Sequence, residues 1–457
     1  MLESHGVGVG RPLLARIWSV LGTSKRERPE VEAKRAFDLC RVLLARRRDT
    51  SGMRVASEAM AACSSLQNGA LGVFVDSLAA EFLPDAAAIA RAARLYLDDP
   101  VSENLAALQQ VAESPRQELF RRLNWSPDGT RELIEMRRRL LLGLASKPEW
   151  RTVDTDLVHL FRSWFNPAFL VLRQIDWHTS AVVLERLIEY EAVHQIRGWR
   201  DLRRRLQKDR RCFALFHPAI PDEPLIFIEV ALTKGMSHSI QPLLDPESPI
   251  MESATANCAL FYSITHCHDG LRGVSFGNFL IEQAVENLGR NVSHLKRFAT
   301  LSPIHGFVDW LGSVIRSPRG ARVSPAVAAL CTQIEGGSVV GQEVLAPHQR
   351  ELTQLCAYYL LHGSDGKAPL DTVARFHLAN GARMERLNWL ADLSMSGLRR
   401  SMCMMVNYVY RRQADHAARY QSTQPSEISA SPEFRRHARL CRLAQSDQRS
   451  GRESLAG

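Results

Sequence analysis

A serine at the end of an expected strand is the residue of this chain best placed to do chemistry. Ser302 lies in the segment 299–307, Ala-Thr-Leu-Ser-Pro-Ile-His-Gly-Phe, after the apolar positions Phe298 and Leu301. A hydroxyl just before a proline, where a strand stops, emerges from a sheet into a cleft. There it can bind a substrate oxygen or take part in proton transfer. The alternative is an ordinary turn serine, since serine is common in turns.

A histidine is the second candidate. His377 stands between Phe376 and Leu378, shortly before Asn380 and Gly381. Small changes in the surroundings of an imidazole on an apolar wall move its pKa across neutrality, so His377 near its ordinary pKa can give and regain a proton. The alternative is a core histidine whose nitrogens are satisfied within the fold.

A loop with three glycines forms a third candidate, a site for an anion. The segment 269–278 reads Asp-Gly-Leu-Arg-Gly-Val-Ser-Phe-Gly-Asn and runs from an expected strand into an expected helix at 279–288. Glycine allows backbone N–H groups to approach a ligand closely, and a helix N-terminus favours negative charge, so a pyrophosphate suits this place. The segment is neither a Walker loop nor a dinucleotide fingerprint. The alternative is a tight turn between strand and helix.

Three possible metal ligands precede this loop, in His266, Cys267 and His268. Alternate residues of a strand share a face, so the two histidines could bind zinc together. The chain has no second ligand cluster with matching spacing, and we therefore expect no metal site.

Charge raises nucleic acid as a possible partner. The net charge is +9, and arginines cluster at 46–48, 137–139 and 203–211. The first two clusters lie in helical patterns rich in Leu and Ala without interleaved aromatic residues, which is typical of solvated helix faces. The third precedes an expected strand, where a few arginines could meet the phosphates of a small ligand. We expect no nucleic-acid partner.

The spacing of apolar residues changes near residue 160. Before it, the spacing predicts helical segments at 31–48, 71–82, 86–97, 105–119 and 131–144, with breaks at Pro84, Pro100, Pro115 and 127–129. After it, the pattern predicts a helix at 180–190 and strands at 212–216, 225–233, 256–264 and 296–301, the first three forming an antiparallel meander. We expect the α+β class, with an all-α helical bundle domain at 1–160 and an α/β domain with a mostly antiparallel central sheet at 161–457.

Composition agrees with a soluble protein of two domains. The chain has 457 residues, of which 45% are hydrophobic and 23% charged. Its nine scattered cysteines contain no Cys-x-x-Cys, which indicates reduced thiols in a cytosol-like compartment. No apolar run is long enough to cross a bilayer, and the N-terminal residues lack the order of a secretion signal. Acidic residues near that end, such as Glu27 and Glu30, weaken a transit-peptide interpretation.

Short segments in a fixed order resemble the malonyl-CoA decarboxylase family. The resemblance covers roughly residues 160–410 closely and the helical part in layout. The segments are Tyr-Glu-Ala-Val-His at 190–194, Glu-Pro-Leu at 223–225, Val-Ala-Leu-Thr at 230–233, Phe-Tyr-Ser-Ile at 261–264, Gly-Leu-Arg-Gly-Val at 270–274, Leu-Ser-Pro-Ile at 301–304 and Phe-His-Leu with Asn-Gly-Ala at 376–382, followed by Asn-Trp at 388–389 and Asn-Tyr at 407–408.

This resemblance implies a helical domain with contacts in a homo-oligomer, a dimer or tetramer, fused to a GNAT-like acyl-CoA-binding domain. The implied reaction turns malonyl-CoA into acetyl-CoA and carbon dioxide, as in fatty acid and malonate metabolism, without metal or organic cofactor. His377 is implied as proton donor and Ser302 as polar partner and proton acceptor. Implied substrate-binding residues are Arg272, Gly273, Val274, Ser275, Phe276, Gly277, Asn278, Ser302 and His377, with Ser263 and Tyr408 placed around the acyl end.

Two departures from the family pattern matter. Ser275 stands where animal members carry a glutamate in the glycine loop, and the last residues do not form a Ser-Lys-Leu peroxisomal address. The second departure favours a bacterial cytoplasm, with the mitochondrial matrix as the alternative. The alternative function is a GNAT-type acyl-CoA-dependent acyltransferase, which would share the CoA site but need a pocket for an acceptor amine.

Overall fold

A computed structural model describes residues 29–46, 49–363, 369–410 and 428–444. These residues pack into two compact units. The first comprises the chain up to Leu170 with the short segments His217–Pro221 and His268–Ser275; the second comprises Val171–Phe216, Asp222–Cys267 and the chain from Phe276 onward. The expected division into 1–160 and 161–457 stays a prediction about folding domains. The terminal segments used above to infer compartment lie outside the described residues, as do Arg47 and Arg48.

The first unit is helical, as the apolar spacing predicts. The span 105–119 is divided into two helices at the predicted break, Pro115, because proline cannot continue a helix from within. Ser114 caps the second helix, its Oγ accepting the N–H of Arg116 at 3.2 Å. The helices of this unit are α1 (29–44), α2 (Thr50–Ser65), α3 (Asn68–Glu81), α4 (Ala86–Asp98), α5 (Ser102–Ala112), α6 (Pro115–Leu123), α7 (Gly129–Gly143) and α8 (Arg151–Trp164), with 3₁₀ turns at Pro148–Trp150, Pro167–Phe169 and Asp269–Leu271.

The second unit contains an eight-stranded sheet with helices around it. Its strands are β1 (Val171–Ile175), β2 (Arg210–Phe216), β3 (Ile226–Thr233), β4 (Cys258–His266), β5 (Arg297–Thr300), β6 (Ser302–Pro303), β7 (Arg383–Asn388) and β8 (Met405–Tyr410). Its helices are α9 (Ala181–Tyr190), α10 (Trp199–Arg205), α11 (Gln241–Leu244), α12 (Gly277–Asn291), α13 (Phe307–Ile315), α14 (Pro325–Glu335), α15 (Gln342–Leu345), α16 (Gln349–His362), α17 (Thr372–Ala379), α18 (Met395–Ser401) and α19 (Pro432–Leu440), with 3₁₀ turns at Ser253–Thr255, Pro318–Arg322 and Ala346–His348.

The sheet has the order β1-β2-β3-β4-β5-β8-β6, with β7 also paired to β8. The predicted meander of β2, β3 and β4 is confirmed, and these strands are antiparallel. β4 and β5 are parallel, because α12 connects them as a crossover. The mostly antiparallel sheet with this one parallel pair confirms the predicted α+β class. The apolar spacing did not reveal β1, β7 or β8.

Two expectations about arginine clusters are wrong. Arg137 is not on a solvated helix face: it is buried, and its guanidinium donates to Asp154 at 2.7 Å and to the carbonyl of Gly270 at 2.6 Å. Within the cluster 203–211, the most buried arginines form ion pairs with carboxylates of the same fold, and their guanidinium groups are therefore not available to the phosphates of a small ligand. These pairs are Arg204 with Asp209 at 2.8 Å, Arg205 with Glu229 at 2.8 Å and Arg210 with Asp209 at 2.9 Å. No helix of the described residues is both long and apolar enough to span a membrane.

Candidate active site

The sheet opens beside Ser302. β4 and β5 pair as far as Phe261 opposite Thr300, and the N–H of Leu301 adds one more hydrogen bond, to the carbonyl of Phe261 at 2.9 Å. β4 runs on past this point, whereas the chain after β5 turns into the short strand β6, where Ser302 lies opposite Val406 of β8. Ser302 therefore follows the end of β5, at the point where two neighbouring strands separate, and its side chain is buried. Its expected emergence into a cleft stays a prediction.

Helix α17 brings His377 to this point. The helix begins after Asp371, whose carboxylate accepts the N–H of Ala374 at 2.7 Å and so caps the first turn. His377 lies in the last turn and is 3% exposed. Its Nε2 is 2.9 Å from Oγ of Ser302, a residue 75 positions away in the chain. The structure thus brings the two principal predicted residues into direct hydrogen bonding.

Two tyrosines of β8 hold the imidazole. The hydroxyl of Tyr410 lies 2.7 Å from Nδ1 of His377, and the ring of Tyr408 stacks on the imidazole with centroids 4.5 Å apart and planes inclined by 29°. Alternate residues of a strand share a face, so both rings point to the same side of β8. Tyr410 also meets the edge of Phe261 at a centroid distance of 6.5 Å. Both nitrogens of His377 consequently have polar partners, and its plane is fixed.

The hydroxyl of Thr300 determines which groups donate and which accept in this arrangement. Oγ of Thr300 accepts the hydroxyl proton of Ser302 at 2.9 Å and the N–H of Tyr408 at 3.2 Å. A Ser302 hydroxyl that donates to Thr300 leaves its oxygen to accept N–H from His377. The neutral imidazole then carries its proton on Nε2 and accepts the Tyr410 hydroxyl at Nδ1. Tyr410, His377, Ser302 and Thr300 form a continuous chain of hydrogen bonds, which we call the relay.

Burial sets the protonation of the relay. It lowers the pKa of His377 to about 3, so the imidazole is neutral at pH 7. The expectation of an imidazole near its ordinary pKa is therefore wrong for this site, because no carboxylate of the described residues offsets the loss of solvent. Burial also raises the pKa of Tyr410 far above its ordinary value, which keeps the phenol protonated as a donor.

The structure does not bring Ser263 into the relay. Its hydroxyl donates to the buried carboxylate of Glu191 at 2.8 Å, and Thr265 donates to the same carboxylate at 3.0 Å. Tyr408, which was placed at the acyl end from the resemblance, contributes its ring to the stacking on His377.

The predicted anion loop is divided between the two units. Residues 272–275 belong to the first unit, where Arg162 donates to the carbonyl of Gly273 at 3.2 Å and where Gly273 has a positive φ of 86°. The side chains of Arg272 and Ser275 are exposed there, and Val274 is buried.

Phe276, Gly277 and Asn278 belong to the second unit and lie at the start of α12. The side chain of Phe276, the N-cap residue, makes no capping hydrogen bond to this helix. A Cβ on Gly277 would lie 2.4 Å from the ring of Phe376, the residue before His377. Glycine is required here because that ring packs directly on the helix start.

Three residues of the site were not identified from the sequence, namely Thr300, Asp371 and Tyr410. Each of them had a usable signal in the sequence. Thr300 precedes Ser302 by two residues and Tyr410 follows Tyr408 by two, the spacing at which strand residues share a face. Asp371 begins the helix of His377 in the sequence Asp-Thr-Val-Ala, a typical helix start. Among the described residues, no group of three His, Cys, Asp or Glu side chains is arranged to hold a metal ion.

Comparison with known proteins gives consistent matches. The family model described as "Malonyl-CoA decarboxylase C-terminal domain" matches residues 168–450, and that described as "Malonyl-CoA decarboxylase N-terminal domain" matches residues 82–165. The mitochondrial malonyl-CoA decarboxylase of Anser anser anser is 35% identical over 338 residues, which cover 68% of this chain and 67% of the relative. That of Rattus norvegicus is 35% identical over 317 residues, covering 64% of each chain.

Solved structures agree with these sequence matches. The crystal structure of malonyl-CoA decarboxylase from Agrobacterium vitis is 43% identical and superposes with a TM-score of 0.81, covering 88% of this chain and 98% of that one. The malonyl-CoA decarboxylase from Rhodopseudomonas palustris is 41% identical with a TM-score of 0.78, covering 88% and 99%.

Proposed function

The chain belongs to the malonyl-CoA decarboxylase family of enzymes, and from this premise we propose that it converts malonyl-CoA to acetyl-CoA and carbon dioxide with Ser302 and His377 as its reacting pair. The observation that carries the proposal is the 2.9 Å hydrogen bond between Oγ of Ser302 and Nε2 of His377 at the opening of the sheet. The match to both family domains supports the choice of substrate.

Decarboxylation of malonyl-CoA requires few catalytic groups, and these residue types can supply them. When carbon dioxide leaves malonyl-CoA, the electron pair of the broken C–C bond moves into the thioester carbonyl, so the substrate provides its own electron sink. We propose that neither a metal nor an organic cofactor takes part. The enzyme must hold the carboxylate out of the plane of the thioester, stabilise the enolate oxygen and deliver one proton to the α-carbon.

His377 is the proton donor in this proposal. The enolate carbon formed on loss of carbon dioxide is a much stronger base than an imidazole nitrogen, so a neutral imidazole with its proton on Nε2 suffices. As Nε2 gives its proton to the α-carbon, Nδ1 takes the hydroxyl proton of Tyr410, 2.7 Å away. Before the next turnover the proton on Nδ1 returns to the Tyr410 oxygen and Nε2 takes up one proton from solvent. The starting tautomer is thus restored, with the overall uptake of one proton per turnover.

Ser302 is a hydrogen-bonding partner in this proposal and not a nucleophile. In the relay the Ser302 oxygen accepts a hydrogen bond from Nε2 of His377, and its hydroxyl donates a hydrogen bond to Thr300. An imidazole that already carries its proton on Nε2 cannot remove a proton from Ser302, which a covalent acyl-serine would require. Turned towards bound substrate, the same hydroxyl can donate to the thioester oxygen as negative charge develops there.

We propose that the CoA part of the substrate is held by residues 272–278. Within the first unit, the exposed guanidinium of Arg272 suits a phosphate. Within the second unit, the N-terminus of α12 favours negative charge. The opening of the sheet next to Ser302 suits the pantetheine arm. Assembly into a dimer or tetramer through the helical segment 1–160, and a bacterial cytoplasmic location, are retained as further proposals.

Incubation of purified protein with malonyl-CoA and no acceptor tests the function. We expect acetyl-CoA and carbon dioxide in equal amounts, without added metal and in the presence of a chelator. Ser302→Ala should lower kcat with a modest change in KM. A GNAT-type acyltransferase would instead consume malonyl-CoA only when an amine acceptor is added, and would release no carbon dioxide without one.

A further inference from the structure

One buried carboxylate joins the two chain segments that carry the reacting pair. Oδ1 of Asp371 accepts the N–H of Ala374 at 2.7 Å, and Oδ2 accepts the N–H of His305 at 2.6 Å. Asp371 is 1% exposed, so these bonds are not in competition with solvent.

The two bonds act on different parts of the site. The bond to Ala374 is the cap of α17, the helix that presents His377. The bond to His305 holds the chain just after Ser302, and the carbonyl of the same His305 accepts the hydroxyl of Tyr359 at 2.6 Å. Both the N–H and the carbonyl of His305 are therefore hydrogen-bonded, which fixes the backbone at this residue. The carboxylate of Asp371 spans from this anchored segment to the start of the histidine helix.

We propose that Asp371 is the positioning residue of the Ser302–His377 pair, setting the distance between the two side chains by holding both backbone segments with one carboxylate. This inference rests on the proposed function, since it concerns the geometry of that reaction. Asp371 touches neither substrate nor the reacting atoms, and it acts only through the segments that it connects.

The geometry needs the ionised carboxylate, because both oxygens accept N–H groups and a proton on either oxygen removes an acceptor. Burial raises the pKa of Asp371 to about 6, although its bonds to backbone N–H groups oppose this. The titratable and charged groups that face it are Arg375 on its own helix, Cys356 and Tyr359 on α16 and Tyr408 on β8. We therefore expect an acid limb in kcat near pH 6 that belongs to Asp371, whereas His377 titrates far below it.

Asp371→Asn tests this directly, because asparagine can still cap α17 but its amide group opposes the N–H of His305. We expect kcat to fall about 10- to 100-fold, as for a small misplacement of reacting groups, with KM within about twofold. The acid limb near pH 6 should disappear. Asp85→Asn is the matched control, since Asp85 also caps a helix, accepting the N–H of Ala87 at 2.8 Å and of Ala88 at 3.2 Å. It should leave kcat and the pH profile unchanged.

Three results would overturn the inference. The first is an Asp371→Asn enzyme with the kcat and pH profile of the wild type. The second is a variant whose kcat, KM and melting temperature deteriorate together, since that indicates a merely structural residue. The third is a wild-type kcat without an acid limb near pH 6, a measurement that needs no variant. Should Asp371→Asn fail to fold, Asp371→Ser, whose hydroxyl can cap α17 but is too short for His305, should show the same loss of kcat.

Failure of the proposed function would look different. A wild-type protein that releases no carbon dioxide from malonyl-CoA overturns the function and this inference with it. An active wild type with an unaffected Asp371→Asn overturns this inference alone.

Discussion

The hydroxyl of Tyr410 lies 2.7 Å from Nδ1 of His377, on the opposite side of the imidazole from Ser302. Since burial keeps His377 neutral, this phenol decides which ring nitrogen carries the proton. A Tyr410 that donates to Nδ1 leaves the proton on Nε2, where a bound acyl group can receive it.

Tyr410→Phe should therefore lower kcat by about 10- to 100-fold with little change in KM, because the ring stays while the donor to Nδ1 is lost. Steady-state kinetics with malonyl-CoA measure this. Tyr190→Phe is the matched control, since it removes a phenol hydrogen bond to Glu223 at 2.9 Å within the same unit but away from the relay. A Tyr410→Phe enzyme as fast as Tyr190→Phe would contradict the proposed relay.

Arg272 is predicted to bind a phosphate of CoA. Arg272→Ala should raise KM for malonyl-CoA about 3- to 10-fold and leave kcat within about twofold, because a contact to the non-reacting part of a substrate serves binding alone. Arg290→Ala provides the comparison: both side chains are 74% exposed and each pairs with one nearby carboxylate. Equal KM values for the two variants would show that Arg272 does not bind CoA.

Gly277 is packed too closely for any side chain. Gly277→Ala should cost ~1–3 kcal/mol of the free energy of unfolding, because its methyl group must push the ring of Phe376 away from the helix start. Urea denaturation measures the loss. The double variant with Phe376→Leu should lose less free energy of unfolding than the two single variants lose together, since the smaller side chain relieves the clash. Strict additivity of the two changes would show that the ring is not the obstacle.

Asp371 should reduce the stability of the fold at neutral pH although it supports activity there. Its pKa is about 6 in the folded protein against an ordinary 3.8, so the folded state holds this proton more tightly than the unfolded chain. The associated stability is complete below about pH 4 and is lost as the pH rises through 6, which amounts to ~3 kcal/mol.

The free energy of unfolding of Asp371→Asn should therefore rise relative to that of the wild type between pH 4.5 and pH 7.5. Urea denaturation of both proteins at a series of pH values measures the difference. A difference that does not change with pH would show that Asp371 titrates outside this range.

Local pattern explains much of the fold and part of the site. Helical and alternating spacings are properties of short segments, so several helices before residue 160 and the strands from Arg210 to His266 could be predicted, whereas α2 and α8 were not. The reacting pair could be proposed from residue type and surroundings, and from resemblance to a known family.

The rest depends on contacts between distant segments. Tyr410 enters the site because β8 pairs with β5 and β6, and Asp371 because one carboxylate reaches both α17 and the chain after Ser302. The lowered pKa of His377 follows from its burial, which its immediate neighbours in the sequence do not reveal. The burial of Arg205 likewise follows from its pairing with Glu229 on β3.

The kcat of Ser302→Ala, His377→Asn and the double variant, measured by release of carbon dioxide from malonyl-CoA, tests the central claim most directly. If the two residues act as one unit, each single variant and the double variant should fall to about the same residual rate, with substrate binding preserved. A double variant whose loss equals the product of the two single losses, or a single variant with wild-type kcat, would contradict the proposed pair.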